Sequence, residues 1–187
     1  MEMEPKDLRS PRIGLGERLA VWMEVEILSA LTPKNKPGPI FKWLFKIPIL
    51  YYRLGLGWMI GKKFLLLTTI GRKTGKFRST PLEYVHHAQT GYYRVSPGWG
   101  GNTDWYKNLR YNPNVSVNVG RRKFKALAEP APDEEAARFM ITASKRHPTM
   151  DKVWNRWTDK PVDGSWESYV HAAQFFPSVW LKPQDDL

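Results

Sequence analysis

The chain has 187 residues, a formal charge of +11, 42% hydrophobic and 13% aromatic residues, and no cysteine. That length and composition describe one globular unit with a sizeable core and exclude a disordered chain. Without cysteine there are no disulfides, thiolate metal sites or Cys nucleophile, and the charge calls for an anionic partner: nucleic acid, anionic lipid or a phosphorylated ligand. The nine tryptophans point either to flat aromatic surfaces around a ligand or a membrane interface, or to bulky core packing.

Met1 to Arg12 is charged and lacks the apolar core of a secretory leader, and no run of 18 uncharged apolar residues reads as a spanning helix. A cytoplasmic location is expected. Residues 1–15 read as an arm. Glu17 to Leu31 carries Leu19, Ala20, Trp22, Met23, Ile27 and Leu31 at near-helical spacing, with acidic Glu17, Glu24 and Glu26. Thr32 to Pro39 is a Pro-rich linker, so residues 1–39 form an N-terminal extension to a domain over 40–187.

Residues 40–61 are basic and aromatic. A helix there places Lys42, Lys46 and Arg53 in one sector, with Pro48 opening a second helix at its first turn. Trp, Phe, Leu and Tyr opposite three basic heads suit the inner face of a cell membrane, or a helix packed on the domain's own core.

From Phe64 the pattern has period two. Strands are predicted over Phe64–Thr69, Arg78–His87, Tyr92–Ser96, Val115–Val119, Lys123–Glu129 and Phe175–Leu181. In the second, Thr80, Leu82, Tyr84 and His86 share a face; in the fifth, Phe124 and Leu127 are the expected core contacts. Thr103 or Asp104 caps a helix to Tyr111, Pro130–Asp133 opens another whose face is Ala136, Phe139, Met140 and Ala143, and Asp151–Trp157 adds a turn or two. Thr158–Trp166 reads as loop. Five or six short antiparallel strands with few helices make a mainly β, α+β domain, a small barrel.

The stretch from Phe64 to Leu82 organises the rest. An apolar strand runs into Gly71-Arg72-Lys73-Thr74-Gly75-Lys76, and a second strand begins near Arg78. Glycines let backbone come close, and free N–H groups with Arg and Lys heads hold an anion. The alternative is a solvated basic hairpin. The turn is not a nucleotide-triphosphate loop, because Gly71 and Gly75 are three residues apart and Phe77 follows Lys76; nor is it a dinucleotide fingerprint, because no helix follows. The four histidines lack metal-ligand spacing, and no Gly-x-Ser-x-Gly elbow exists. Nucleic acid is not the expected partner, since the basic residues gather in one turn and the aromatics form no strand-borne pair.

Thr69-Ile-Gly71-Arg72-Lys73-Thr74-Gly75-Lys76-Phe77-Arg78-Ser79-Thr80-Pro81-Leu82, then Ser96-Pro97-Gly98-Trp99-Gly100, Asp104-Trp105-Tyr106-Lys107-Asn108 and Asn112-Pro113-Asn114-Val115, resembles the deazaflavin-dependent nitroreductase and quinone reductase family over about residues 48–150. The resemblance implies a split β-barrel of about six antiparallel strands with flanking helices. It implies reduced coenzyme F420 as hydride donor to a small hydrophobic acceptor such as a quinone or nitro compound. Alternatives are a flavin mononucleotide enzyme on the same barrel and a non-catalytic carrier of coenzyme or lipid.

By that resemblance Arg72, Lys73 and Arg78 pair with the coenzyme's phosphate and oligoglutamate tail, helped by Thr74, Gly75 and nearby N–H groups. Thr80, Pro81 and Leu82 lie along its ring. Ser96, Gly98, Trp99 and Gly100 wall the ring, and Trp105, Tyr106 and Asn108 brace that wall. Glu83, Tyr84, His147, Met150 and Trp154 fall at the acceptor pocket; no protein side chain is a catalytic acid, base or nucleophile, and no metal is implied. Pro97 stands where some members have Lys, and the members' pocket tyrosines are replaced here, so nitroimidazole reduction is not carried over.

Overall fold

The structure, a computed structural model, describes residues 47–97, 100–146 and 150–184. The expected helix over 17–31, the linker, residues 40–46, Gly98, Trp99 and His147 lie outside the described residues.

Seven antiparallel strands form one sheet: β1 Phe64–Ile70, β2 Phe77–Glu83, β3 Val85–His87, β4 Tyr92–Val95, β5 Asn114–Val119, β6 Arg122–Pro130 and β7 Val179–Pro183. Their order across the sheet is β2-β1-β5-β6-β7-β4-β3. The first and last strands are consecutive in the chain, separated by Tyr84 alone. The sheet must therefore curl until its two edges meet, which is the closure of a small barrel. It has a split β-barrel fold.

The predicted strand over 78–87 is thus two strands. Thr80, Leu82, Tyr84 and His86 do share the inward face, because Thr80 pairs with Leu67, Leu82 with Leu65, and His86 with Tyr93. The side-chain alternation continues through Tyr84 while the partner strand changes. Pro81 is tolerated because β2 is an edge strand, where a missing N–H breaks no second ladder.

Leu65, Leu67, Val115, Val117, Val119, Tyr93, Val95, Val179 and Leu181 fill the barrel interior. Each fully buried Leu or Val stabilises by roughly 1.5–3 kcal/mol. The fifth strand corrects one expectation: Phe124 and Leu127 are an odd number apart and cannot share a face. The inward row is Phe124, Ala126 and Ala128, and Leu127 is half-buried on the other side.

Helices cover the barrel: α1 Ile47–Arg53, α2 Gly57–Ile60, α3 Asp104–Tyr111, α4 Asp133–Arg146, α5 Met150–Trp154 and α6 Trp166–Ala173. Pro48 sits in the first turn of α1, as expected. Tyr52 fastens α1 to the barrel, donating to Phe64 O at 2.7 Å and accepting from Gly120 N–H at 3.3 Å. In α2, a Cβ on Gly61 would lie 2.4 Å from Gly120 Cα, so this contact requires glycine.

α4, α5 and α6 enclose a second core of Ala136, Ala137, Met140, Trp154, Val162, Tyr169, Ala172 and Ala173. Sequence reasoning missed α6 and began the last strand too early. Ser165 caps α6, its hydroxyl accepting from Ser168 N–H. Arg94 of β4, 7% exposed, joins the barrel to this layer: its guanidinium lies 3.9 Å from the Phe139 ring centroid and 5.9 Å from that of Trp180. Trp180 Nε1–H donates to Glu135 at 2.8 Å. Burial lowers the Arg94 pKa to about 10, and the Glu135 carboxylate works against that shift.

Candidate functional site

The basic turn is rigid and largely self-satisfied. Gly71 N–H donates to Lys76 O at 2.9 Å, while Thr74 N–H and Gly75 N–H both donate to Gly71 O, at 3.1 and 2.7 Å. Lys76 N–H donates to Thr74 Oγ1 at 3.4 Å. Gly75 adopts φ +66°, which glycine takes without strain. Thr74 and Gly75 thus use their own N–H groups to build the turn.

Arg72 turns toward α3. Its N–H and Nη1 donate to Asn108 Oδ1 at 3.2 and 3.0 Å, and Nη2 reaches Asp104 Oδ1 at 3.2 Å. Asn108, 4% exposed, passes the connection on, donating from Nδ2 to Thr69 Oγ1 at 3.3 Å. Thr69 Oγ1 donates in turn to Arg78 O at 3.4 Å. Asn108 thus braces the basic turn. Asp104 and Thr69 were not expected in the site; Asp104 and Asn108 stand four apart on α3, the spacing that puts both on one helix face. Lys73, Lys76 and Arg78 project from the turn and β2, and among the described residues no hydrogen bond or ion pair engages their charged heads.

The ring-side residues lie along two neighbouring surfaces. Thr80 and Pro81 are half-buried and Leu82 closes into the barrel core. Ser96 Oγ is 2.8 Å from Ser178 Oγ. Gly100 starts a short 3₁₀ turn, Gly100–Asn102, and Gly101 lies beneath Tyr106, where an added Cβ would be 3.6 Å from its ring. Trp105 and Tyr106 are buried, their rings edge-on at 6.0 Å. Thr103 is the N-cap residue of α3, but its side chain makes no capping bond, and Oγ1 is buried with no partner among the described residues. An unpaired buried hydroxyl costs about 1–3 kcal/mol and needs a partner.

The acceptor-side residues divide. Glu83 is exposed at the end of β2, 4.0 Å from Lys63 Nζ. Tyr84 donates to Gly61 O at 2.5 Å, and burial raises its pKa. Met150 and Trp154 belong to the helical core; Trp154 is 5% exposed and edge-on to Tyr169 at 6.1 Å. Trp154 supplies packing there.

A family model described as F420H(2)-dependent quinone reductase matches residues 52–163. That span takes in the basic turn, the loop after β4, α3 and most of the barrel. The chain belongs to the F420H(2)-dependent quinone reductase family. It is therefore an oxidoreductase, and coenzyme F420 is its cofactor; the flavin mononucleotide alternative finds no support. Among curated members, the F420H(2)-dependent quinone reductases Rv1261c and MT1299 of two Mycobacterium tuberculosis strains are each 31% identical over 103 residues, 52% of this chain and 68% of theirs. A solved F420-H2 dependent reductase, FDR-A, is 26% identical, with 64% of this chain and 94% of that chain covered and a TM-score of 0.46.

The basic turn of this family member fits the anionic tail of its coenzyme. Three unengaged cations at one turn match a multiply anionic tail. The buried Thr103 hydroxyl, without a partner among the described residues, follows directly on the Gly100–Asn102 turn. Among the described residues no helix is long and apolar enough to cross a membrane. An exposed apolar surface is nonetheless present on α1 and α2: Leu50 54%, Leu54 64%, Trp58 52% and Met59 53% exposed, with Arg121 held 5.9 Å from the Trp58 ring centroid.

Proposed function

We propose that this protein holds reduced F420 with its tail at the Gly71–Arg78 turn and its ring along Pro81, Leu82 and the Ser96–Gly100 loop, for hydride transfer to a quinone-type acceptor. The observation that carries this reading is the cluster of Lys73, Lys76 and Arg78, unengaged among the described residues, on a turn already fixed by its own hydrogen bonds. A turn fixed by its own backbone bonds lowers the backbone part of the ordering cost on binding. When bound, the coenzyme supplies the hydride chemistry; this chain's residues bind it, orient it and exclude water. Tyr84 and Glu83 stand at the β2–β3 junction, where an acceptor can approach the ring from the barrel edge. Titration with F420, followed by tryptophan fluorescence, tests the site. Saturable quenching is expected, and quenching by duplex DNA alone would contradict the reading.

A hydrophobic acceptor favours a second element of the proposal. The exposed Leu50, Leu54, Trp58 and Met59, with Arg121 against Trp58 and exposed Arg53 and Lys62 nearby in sequence, suit an anionic lipid surface. Co-sedimentation with vesicles containing anionic lipid should fall for Leu54→Glu/Met59→Glu while F420 binding is retained. Equal sedimentation of both proteins removes this element.

A further inference from the structure

We propose that Lys76 joins Lys73 and Arg78 as the heads that contact the coenzyme tail, and that Arg72 is a positioning residue that aims them. The assignment rests on the reading that F420 binds at this turn. The guanidinium of Arg72 is already directed elsewhere. It bonds to Asn108 at 3.0 Å and pairs with Asp104 at 3.2 Å, and its side chain is only 26% exposed. An incoming phosphate or carboxylate would compete with the Asp104 carboxylate for the same guanidinium. The Arg72–Asp104 pair carries no net charge, so the cationic character of the turn comes from the three heads that remain.

Lys76 is placed to be one of them. Its backbone is fixed at both ends of the residue, the N–H on Thr74 Oγ1 at 3.4 Å and the carbonyl on Gly71 N–H at 2.9 Å. Lys73 lies on the other side of the positive-φ Gly75. Arg78 follows two residues later on β2, its carbonyl accepting from Thr69 Oγ1. Through Thr69, Asn108 and Arg72, α3 sets the turn that carries Lys73 and Lys76 against the strand that carries Arg78. Arg72 is the only one of the four basic side chains in this turn and strand start that spans from the turn to α3 among the described contacts. Removing its side chain leaves only the residue-72 N–H bond to Asn108 between turn and helix, without removing a tail contact.

The test uses the full chain and two ligands: F420, and its deazaflavin chromophore lacking phosphate and glutamates. Binding is followed by fluorescence at several salt concentrations, with thermal melting of the ligand-free proteins. Lys76→Ala should weaken F420 binding about 10-fold, the loss of one charge-assisted hydrogen bond. It should leave the chromophore affinity and the melting temperature unchanged and make F420 binding less salt-dependent. Arg72→Ala should lower the melting temperature and the preference for F420 over the chromophore, yet keep the wild-type salt dependence. Arg72→Ala/Asn108→Ala should lose no more preference than the worse single variant, because both act through one route. Unchanged F420 affinity in Lys76→Ala overturns its assignment. Arg72→Ala with unaltered melting and a flattened salt dependence makes Arg72 a direct tail ligand and overturns its positioning role. Wild-type protein that binds the chromophore but shows no preference for F420 also overturns the assignment while sparing a ring site; binding of neither ligand defeats the coenzyme reading itself.

Discussion

Arg94 and Glu135 show how much one side chain can hold between two layers. The Arg94 guanidinium is buried against Phe139 and Trp180, and Glu135 is the carboxylate that offsets its desolvation. Removing Glu135 leaves the guanidinium buried without a carboxylate, whereas removing Arg94 leaves a half-buried Glu135 that still accepts from Trp180 Nε1–H. Glu135→Ala should therefore destabilise by about 2–4 kcal/mol in urea unfolding, and Arg94→Met by less than about 1 kcal/mol. The reverse order would show that the arginine contributes mainly through its stacking. The residue types of the candidate site were plain in the sequence, since three basic heads and two glycines announce an anion turn. Their hydrogen bonds were not. Arg72 and Asn108 are 36 positions apart, and only the fold decides that the guanidinium faces α3.

Among the elements, α1 and α2 depend on backbone contact with the β5–β6 turn. Gly61 touches Gly120 so closely that a methyl group at 2.4 Å from Gly120 Cα has no room, and the obstacle is backbone that cannot rotate aside. Gly61→Ala should lower stability by about 1–3 kcal/mol, the cost of forced overpacking, read as a fall in the urea midpoint. At the opposite end of the domain, α6 is acid-sensitive. The Ser165 hydroxyl, then its N–H, and the Ser168 hydroxyl hold the Asp163 pKa down to about 2, from 3.8. A depressed carboxylate contributes stability above its ordinary pKa and loses it as the pH falls through the native value. Amide protection factors in α6 should fall between about pH 4 and pH 2, and Asp163→Asn should remove that pH dependence. Period-two alternation made β1 and β5 legible, because Leu65, Leu67, Val115, Val117 and Val119 all face one core. The helix α6 was hidden by the Gly164-Ser165 loop before it. Its signals were present in the Ser165 cap and in Tyr169, Ala172 and Ala173 at helical spacing.

At the scale of the molecule, the closure of the barrel is the feature that the chain's local pattern could not reveal. Thr80, Leu82, Tyr84 and His86 alternate without interruption, so nothing local marks where β2 leaves β1 and β3 joins β4. Strand pairing is a long-range property, set by which edges the whole sheet brings together. The Gly71–Lys76 turn opens directly into β2, the edge strand that carries Pro81 and Leu82. In the proposed function the charged tail of F420 sits at that turn and its flat ring along that strand. Oxidation of reduced F420 by menadione, monitored by the return of coenzyme absorbance, is the direct test of this reading. Saturable turnover by the wild-type chain is predicted, with Lys73→Ala/Arg78→Ala raising the KM for reduced F420 at least about 10-fold, the equivalent of 1.4 kcal/mol. Coenzyme binding without any oxidation by quinones would make the protein a carrier, and turnover unaffected by the double substitution would place the tail elsewhere.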